Sequence, residues 1–139
     1  MLAALDESGL AQNTVVVFTA DNGGALGYAQ CNDPWRGEKQ DHYDGGLRVP
    51  LIVRWPGVAK PGTESAYAGQ VFDLFATCLD GAGRPVPADT DAFSLLPILR
   101  GAPPPAAERE LYFVRREGGP QYGGRDYHAL VRGDWKLLQ

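Results

Sequence analysis

The stretch Asn13-Thr14-Val15-Val16-Val17-Phe18-Thr19-Ala20-Asp21-Asn22-Gly23-Gly24 passes from an unbroken apolar, β-branched run into two polar residues and two glycines. A continuous run of this kind predicts a strand covered on both faces, as in a parallel sheet. Its abrupt end matters because ligands of open α/β sheets collect beyond the carboxyl ends of strands. Asp21 and Asn22 there supply a carboxylate and an amide carbonyl, two hard oxygens suited to Ca²⁺ or Mg²⁺. Gly23 and Gly24 let the backbone pass close by. The competing account is that Asn22-Gly23 is only a hairpin turn, although Ala25–Gln30 lacks the alternation of a returning strand.

Outward from this stretch, the chain reads as α/β followed by β. Met1–Glu7 has helical character, with Leu2 and Leu5 on one side and Gly9 as a stop, but no capping residue precedes it. Residues 25–48 are polar and loop-like, with Gly45-Gly46 as a tight turn into a second strand, Val49–Trp55. Val71, Phe72, Leu74, Phe75, Cys78 and Leu79 recur at helical spacing, and Gly81 and Gly83 close that helix. Ser94–Gly101 reads as a short helix, and the prolines at 103–105 break regular structure. Leu111–Val114, Tyr127–Val131 and Trp135–Leu138 read as strands, the last two joined by a turn at Gly133-Asp134. The expected division is an α/β portion over 1–101 and a small antiparallel portion over 102–139. Both ends cut through secondary structure, which predicts a piece of a longer chain.

Composition narrows the class without naming a chemistry. Over 139 residues, 44% hydrophobic and 22% charged residues fit a globular chain. A net charge of -4 gives no electrostatic footprint for nucleic acid. No apolar run reaches transmembrane length, and no Asn-x-Ser/Thr acceptor occurs.

A second cluster follows the Asp-Asn pair: Trp35-Arg36-Gly37-Glu38-Lys39, then Tyr43-Asp44-Gly45-Gly46-Leu47-Arg48-Val49-Pro50. Lys39 on a Gly-containing loop can set a compact positive charge against a sulfate or phosphate oxygen, stabilising charge on a leaving group. A solvated surface lysine is the alternative. Arg48 is either an ion-pair partner or an anion ligand, and Asp44 either ties down the loop or binds metal.

Together these blocks resemble the sulfatase family. The residues 13–24 are similar to its strand that delivers an Asp-Asn pair to calcium. Residues 36–50 resemble its Arg-Gly-x-Lys and Tyr-Glu-Gly-Gly-Ile-Arg-Val-Pro block. Asp73–Gly83, Ser94–Gly101 and Val131–Leu137 follow in family order. The resemblance implies a partial alkaline-phosphatase-like α/β sandwich followed by a small C-terminal antiparallel subdomain. It implies hydrolysis of a sulfate ester, carried on a small molecule or a carbohydrate. Asp21 and Asn22 would ligate Ca²⁺ or another divalent ion. Lys39 would contact the sulfate and assist the leaving group, and His42 would line the pocket mouth.

Departures from the pattern are equally specific. The formylglycine-precursor motif, Cys or Ser followed by x-Pro/Ala-x-Arg, is absent. The formylglycine nucleophile and the remaining metal ligands are expected upstream, so this chain is expected to be inactive alone. Cys78 reads as a small core hydrophobe. His128 reads as structural, and Tyr112, Tyr127 and Trp135 as sheet packing. Arg132-Gly133-Asp134 is a turn rather than an adhesion tripeptide. A phosphoester or phosphonate hydrolase of the same superfamily and a non-catalytic remnant remain as alternatives. Localisation and oligomeric state are left open.

Overall fold

A computed structural model describes residues 1–28, 31–105, 108–116, 124 and 126–139. The chain gathers into two compact units, one of Met1–Phe18 with Leu51–Pro105 and one of Thr19–Pro50 with Ala106–Gln139. Among the described residues no helix is long and apolar enough to cross a membrane.

In the first unit, α1 (Leu2–Glu7) leads through a 3₁₀ turn (Ala11–Asn13) into β1 (Val16–Thr19), which pairs with β2 (Leu51–Arg54). The guanidinium of Arg54 ties β2 back by donating to the Ala11 carbonyl at 2.7 Å. The expectation that the valine-rich strand is covered on both faces does not hold. Phe18 is 59% exposed and Ile52 62% exposed, and Val15, Val17 and Leu51 are also open to solvent. The described sheet has only these two strands, so side chains that a further layer would cover remain uncovered.

The core of this unit lies instead between α3 (Asp73–Gly81) and α4 (Leu96–Leu99). Spacing of three and four residues puts Asp73, Ala76 and Thr77 on one buried helix face. Leu95 and Leu96 are buried in the same unit. Asp73 is fully buried and accepts backbone N–H groups from Gln70 at 2.8 Å and Phe93 at 2.7 Å. Thr77 Oγ1 donates to the Asp73 carbonyl at 2.7 Å and accepts from Leu95 N–H at 2.9 Å. These bonds connect the helix to the 93–95 segment, and among the described residues no buried side-chain polar atom lacks a partner, the condition for burying polar atoms without loss. Gly83, at φ 66°, ends the helix in the left-handed conformation. Arg84 N–H then returns to the Leu79 carbonyl at 2.8 Å. Cys78 departs from expectation: one step round from Thr77, it leaves the buried face and is exposed.

The second unit carries a three-stranded antiparallel sheet, β3 (Glu110–Arg116), β4 (Asp126–Arg132) and β5 (Trp135–Leu138), in that order. Its register pairs Leu111 with Val131, Phe113 with Ala129, and Arg132 with Trp135 across the Gly133-Asp134 turn. Alternation sends the side chains of Leu111, Phe113, Ala129, Val131 and Lys136 to one face. Leu111 and Ala129 on that face are buried. Tyr112, Leu130, Trp135 and Leu137 take the other face, where Trp135 is 82% exposed. Packing is therefore not the lot of Tyr112 and Trp135 in this chain, although Tyr112 Oη meets His128 Nδ1 at 2.5 Å across the strands.

Residues 25–48 are not all loop. They contain a 3₁₀ turn (Leu26–Tyr28) and a short helix, α2 (Asp44–Leu47), where a tight turn was expected at Gly45-Gly46. Both glycines are buried inside it, because their neighbours are carbonyl oxygens and not side chains.

Candidate functional site

β1 ends where the second unit begins, so Asp21 and Asn22 sit at the strand's carboxyl end on that unit's loops. Asp21 is exposed and Asn22 half-buried, while Gly23 behind them is buried. Gly23 N–H donates to the Gly46 carbonyl at 3.0 Å. A Cβ on Gly23 would overlap the Gly45 carbonyl oxygen, and Cβ atoms on Gly45 and Gly46 would overlap the Gly37 and Asp41 carbonyls. Three glycines thus allow three backbone segments to lie against one another, a contact that any side chain would wedge apart.

The lysine loop joins the same assembly. Lys39 N–H donates to the Gly24 carbonyl at 3.0 Å, so the backbone of Lys39 is bonded two residues beyond Asn22. Asn32 reinforces this seam from its side chain. Its Oδ1 accepts Gly24 N–H at 2.8 Å, and its Nδ2 donates to Gly24 O at 2.8 Å and Gly37 O at 3.1 Å. Glu38 accepts Leu26 N–H at 2.9 Å, and Asp41 accepts Glu38 N–H at 3.0 Å. The Lys39 side chain is exposed. Among the described residues there is no group of three or more His, Cys, Asp or Glu able to hold a metal. Asp21 and Asn22 contribute one carboxylate and one amide, which fit a hard cation in kind but fill only part of its shell.

Asp44 and Arg48 are ion-paired within α2 and just after it, with Arg48 Nε 3.0 Å from Asp44 Oδ2. Lys136 of β5 closes on the other carboxylate oxygen, and its Nζ also donates to the His42 carbonyl at 3.4 Å. Both oxygens of Asp44 are therefore taken by cations, which is the loop-tying role. Burial pushes the Asp44 carboxyl upward, but Lys136, by hydrogen bond and charge, and then Arg48 outweigh it and hold it below its ordinary value. His42 is lowered by burial first and then by the charges of Arg115, His128 and Lys136, with Asp41 opposing. Its ring stacks on Tyr127 of β4 at 6.3 Å.

Arg36 lies over the Tyr43 ring at 4.0 Å, and Arg48 over Trp35 at 4.2 Å. Trp35, Arg36, Tyr43, Arg48, Trp135 and Lys136 line an open cleft of about 380 Å³. Asp21, Asn22 and Lys39 do not line it. Two contributors went unseen in the sequence. Asn32 carries no signal beyond being a loop asparagine, and Lys136 is visible only as one letter of the Gly133-Asp134-Trp135-Lys136 block.

Residues 1–84 match the family model described as Sulfatase. Steryl-sulfatase of Mus musculus is 41% identical over 111 residues, covering 73% of this chain and 18% of that protein. A protein solved in complex with its substrate D-glucosamine-2-N,6-O-disulfate is 32% identical at a TM-score of 0.82, covering 99% of this chain and 27% of that one. The phosphonate monoester hydrolase from Silicibacter pomeroyi is 28% identical at a TM-score of 0.79, covering 99% of this chain and 28% of its own. This chain thus spans about a fifth of the length of the first curated relatives it matches. The fold shared with these structures is the partial alkaline-phosphatase-like α/β arrangement with its antiparallel sheet.

Proposed function

The chain belongs to the sulfatase family, and from that premise we propose that it carries part of the site of a sulfuric ester hydrolase. In this proposal Asp21 and Asn22 are metal ligands, with Ca²⁺ the first choice among divalent ions. Lys39 is the cation that meets a sulfate oxygen. One observation carries the reading: the hydrogen bonds from Gly23 to Gly46 and from Lys39 to Gly24 join the Asp-Asn loop and the lysine loop by their backbones. A cation site and an anion-contacting ammonium would need that adjacency.

A bound divalent ion would supply Lewis-acid polarisation of a sulfate oxygen. The chain's own contributions are separate from that. Asp21 and Asn22 present hard oxygens at a strand end. The Lys39 ammonium is a mobile point charge that stabilises negative charge as it develops on the departing oxygen. His42, held below its ordinary pKa, would offer a neutral hydrogen bond at the pocket mouth rather than a second charge. The sequence holds no Cys/Ser-x-Pro/Ala-x-Arg motif, so these residues supply no formylglycine nucleophile. The substrate class is a sulfate ester of a small molecule or a carbohydrate. The Silicibacter pomeroyi neighbour is named a phosphonate monoester hydrolase, which keeps that chemistry as the second reading.

The proposal is tested on the intact chain by NMR with Mn²⁺ as a paramagnetic probe. Broadening should begin at Asp21, Asn22 and Gly23, reach Lys39 next, and vanish in Asp21→Asn. With two ligands the affinity should be about millimolar or weaker. Broadening that starts elsewhere and survives Asp21→Asn would overturn the assignment.

A further inference from the structure

The segment that follows Lys39 is held at several points from one direction. Gln40, immediately after it, has φ 83°, a left-handed conformation that non-glycine residues adopt at a cost. Arg115 of β3 donates from Nη1 to the Gln40 carbonyl at 2.9 Å. Tyr127 of β4 stacks on His42. Lys136 of β5 grips the Asp44 carboxylate and the His42 carbonyl. Every strand of the antiparallel sheet thus contributes one side chain that holds residues 40–44, all from the face that also buries Leu111 and Ala129. The held segment in turn leads into Gly45 and Gly46, whose backbone receives Gly23.

We propose that this sheet face is the positioning device for the Lys39 loop, with Lys136 as the principal positioning residue and Arg115 as its second. The proposal rests on Lys39 being the anion-contacting cation. Lys136 does not meet substrate. It acts through Asp44 by neutralising a half-buried carboxylate at the start of α2, which fixes that helix and hence the Gly46 carbonyl against Gly23. Arg115 holds the strained Gln40 backbone and so fixes where Lys39 leaves the seam. One carboxylate shared by Lys136 and Arg48 suits this task. Removing either cation leaves Asp44 partly paired, whereas removing Lys136 alone also releases the sheet.

The test uses amide hydrogen exchange, read residue by residue on the intact chain. Lys136→Met should speed exchange at Gly23, Lys39 and Gly46 by about ten-fold or more, the scale of a lost charge-assisted hydrogen bond. Amides of the β3–β4 ladder should be unchanged, and Lys136→Arg should restore most of the protection. Arg115→Gln should speed exchange at Lys39 and Asp41 more than at Gly23. Asp44→Asn gives the same outcome as Lys136→Met from the other partner, should the first variant fold poorly. Unaltered protection at Gly23 and Lys39 in both Lys136→Met and Asp44→Asn would overturn the proposal. So would a rise spread evenly over the β3–β4 ladder, which marks the pair as general stabilisation. These readings need no metal, so their failure is distinguishable from failure of the Asp21–Asn22 assignment, which the Mn²⁺ experiment reports.

Discussion

Replacing Gly23 by alanine separates steric fit from backbone preference. Gly23 is not in the left-handed region, so alanine can adopt its conformation; only space forbids it. The added methyl would overlap the Gly45 carbonyl oxygen and fall 2.7 Å from the Gly45 carbonyl carbon and 2.8 Å from Gly46 Cα. All three are backbone atoms of the two buried glycines of α2 and cannot swing aside as a side chain would. Overpacking of this kind costs about 1–3 kcal/mol. Moving α2 away also lengthens the bond from Gly23 to Gly46, a further loss of about 1 kcal/mol. The expected total is roughly 2–4 kcal/mol, taken from the second unit and not from the first. The assay is urea unfolding followed by NMR intensities assigned to each unit, since two units need not unfold together. Gly27→Ala is the control: beyond its chain neighbours and its own helical turn, no atom of the described residues lies within 4 Å of its Cβ position and its φ is not left-handed, so it should be neutral. A Gly23→Ala chain that matches the Gly27→Ala control would refute the close-approach account of the seam.

Asp73→Ala removes the acceptor of two backbone N–H groups in the first unit, and should cost about 2–4 kcal/mol there while leaving the exchange of Lys39 untouched. The check is unit-resolved unfolding, and an equal loss in both units would contradict it. Acid should weaken the second unit in two steps. A group whose folded pKa is depressed contributes stability above its unfolded pKa and loses it as pH falls through the folded one. His42, lowered mainly by burial, therefore begins to oppose folding below its ordinary 6.5. Asp44, lowered because Lys136 and Arg48 outweigh its burial, withdraws support only below 3.8. Side-chain NMR titration should place both midpoints below those values, and a midpoint above either would reverse the sign for that group.

How much was legible depended on whether the cause was local. The strands β4 and β5 and their turn follow from alternation and a two-residue Gly-Asp link, and α3 from the spacing of its apolar residues. Covering of β1 was misread because an apolar run reports what a strand can bury, not what neighbours it has. The helix α2 was invisible because Asp-Gly-Gly-Leu contains two of the poorest helix formers. The glycines are required there because no side chain fits between the Arg36, Gly37 and Asp41 carbonyls. Asp21, Asn22 and Lys39 stood out by pattern and family resemblance. Asn32 and the Lys136–Asp44 pair did not, since a pairing across 92 positions leaves no trace in either neighbourhood.

That separation has a temporal consequence. Closing so long a stretch of chain is entropically demanding, and such contacts form late. As the polypeptide leaves the ribosome, Gln40 precedes Arg115 by 75 positions and Asp44 precedes Lys136 by 92, so residues 40–44 wait for both cations. Through that interval the nascent loop lacks its ties to the sheet and has only short-range bonds, such as that from Lys39 to Gly24.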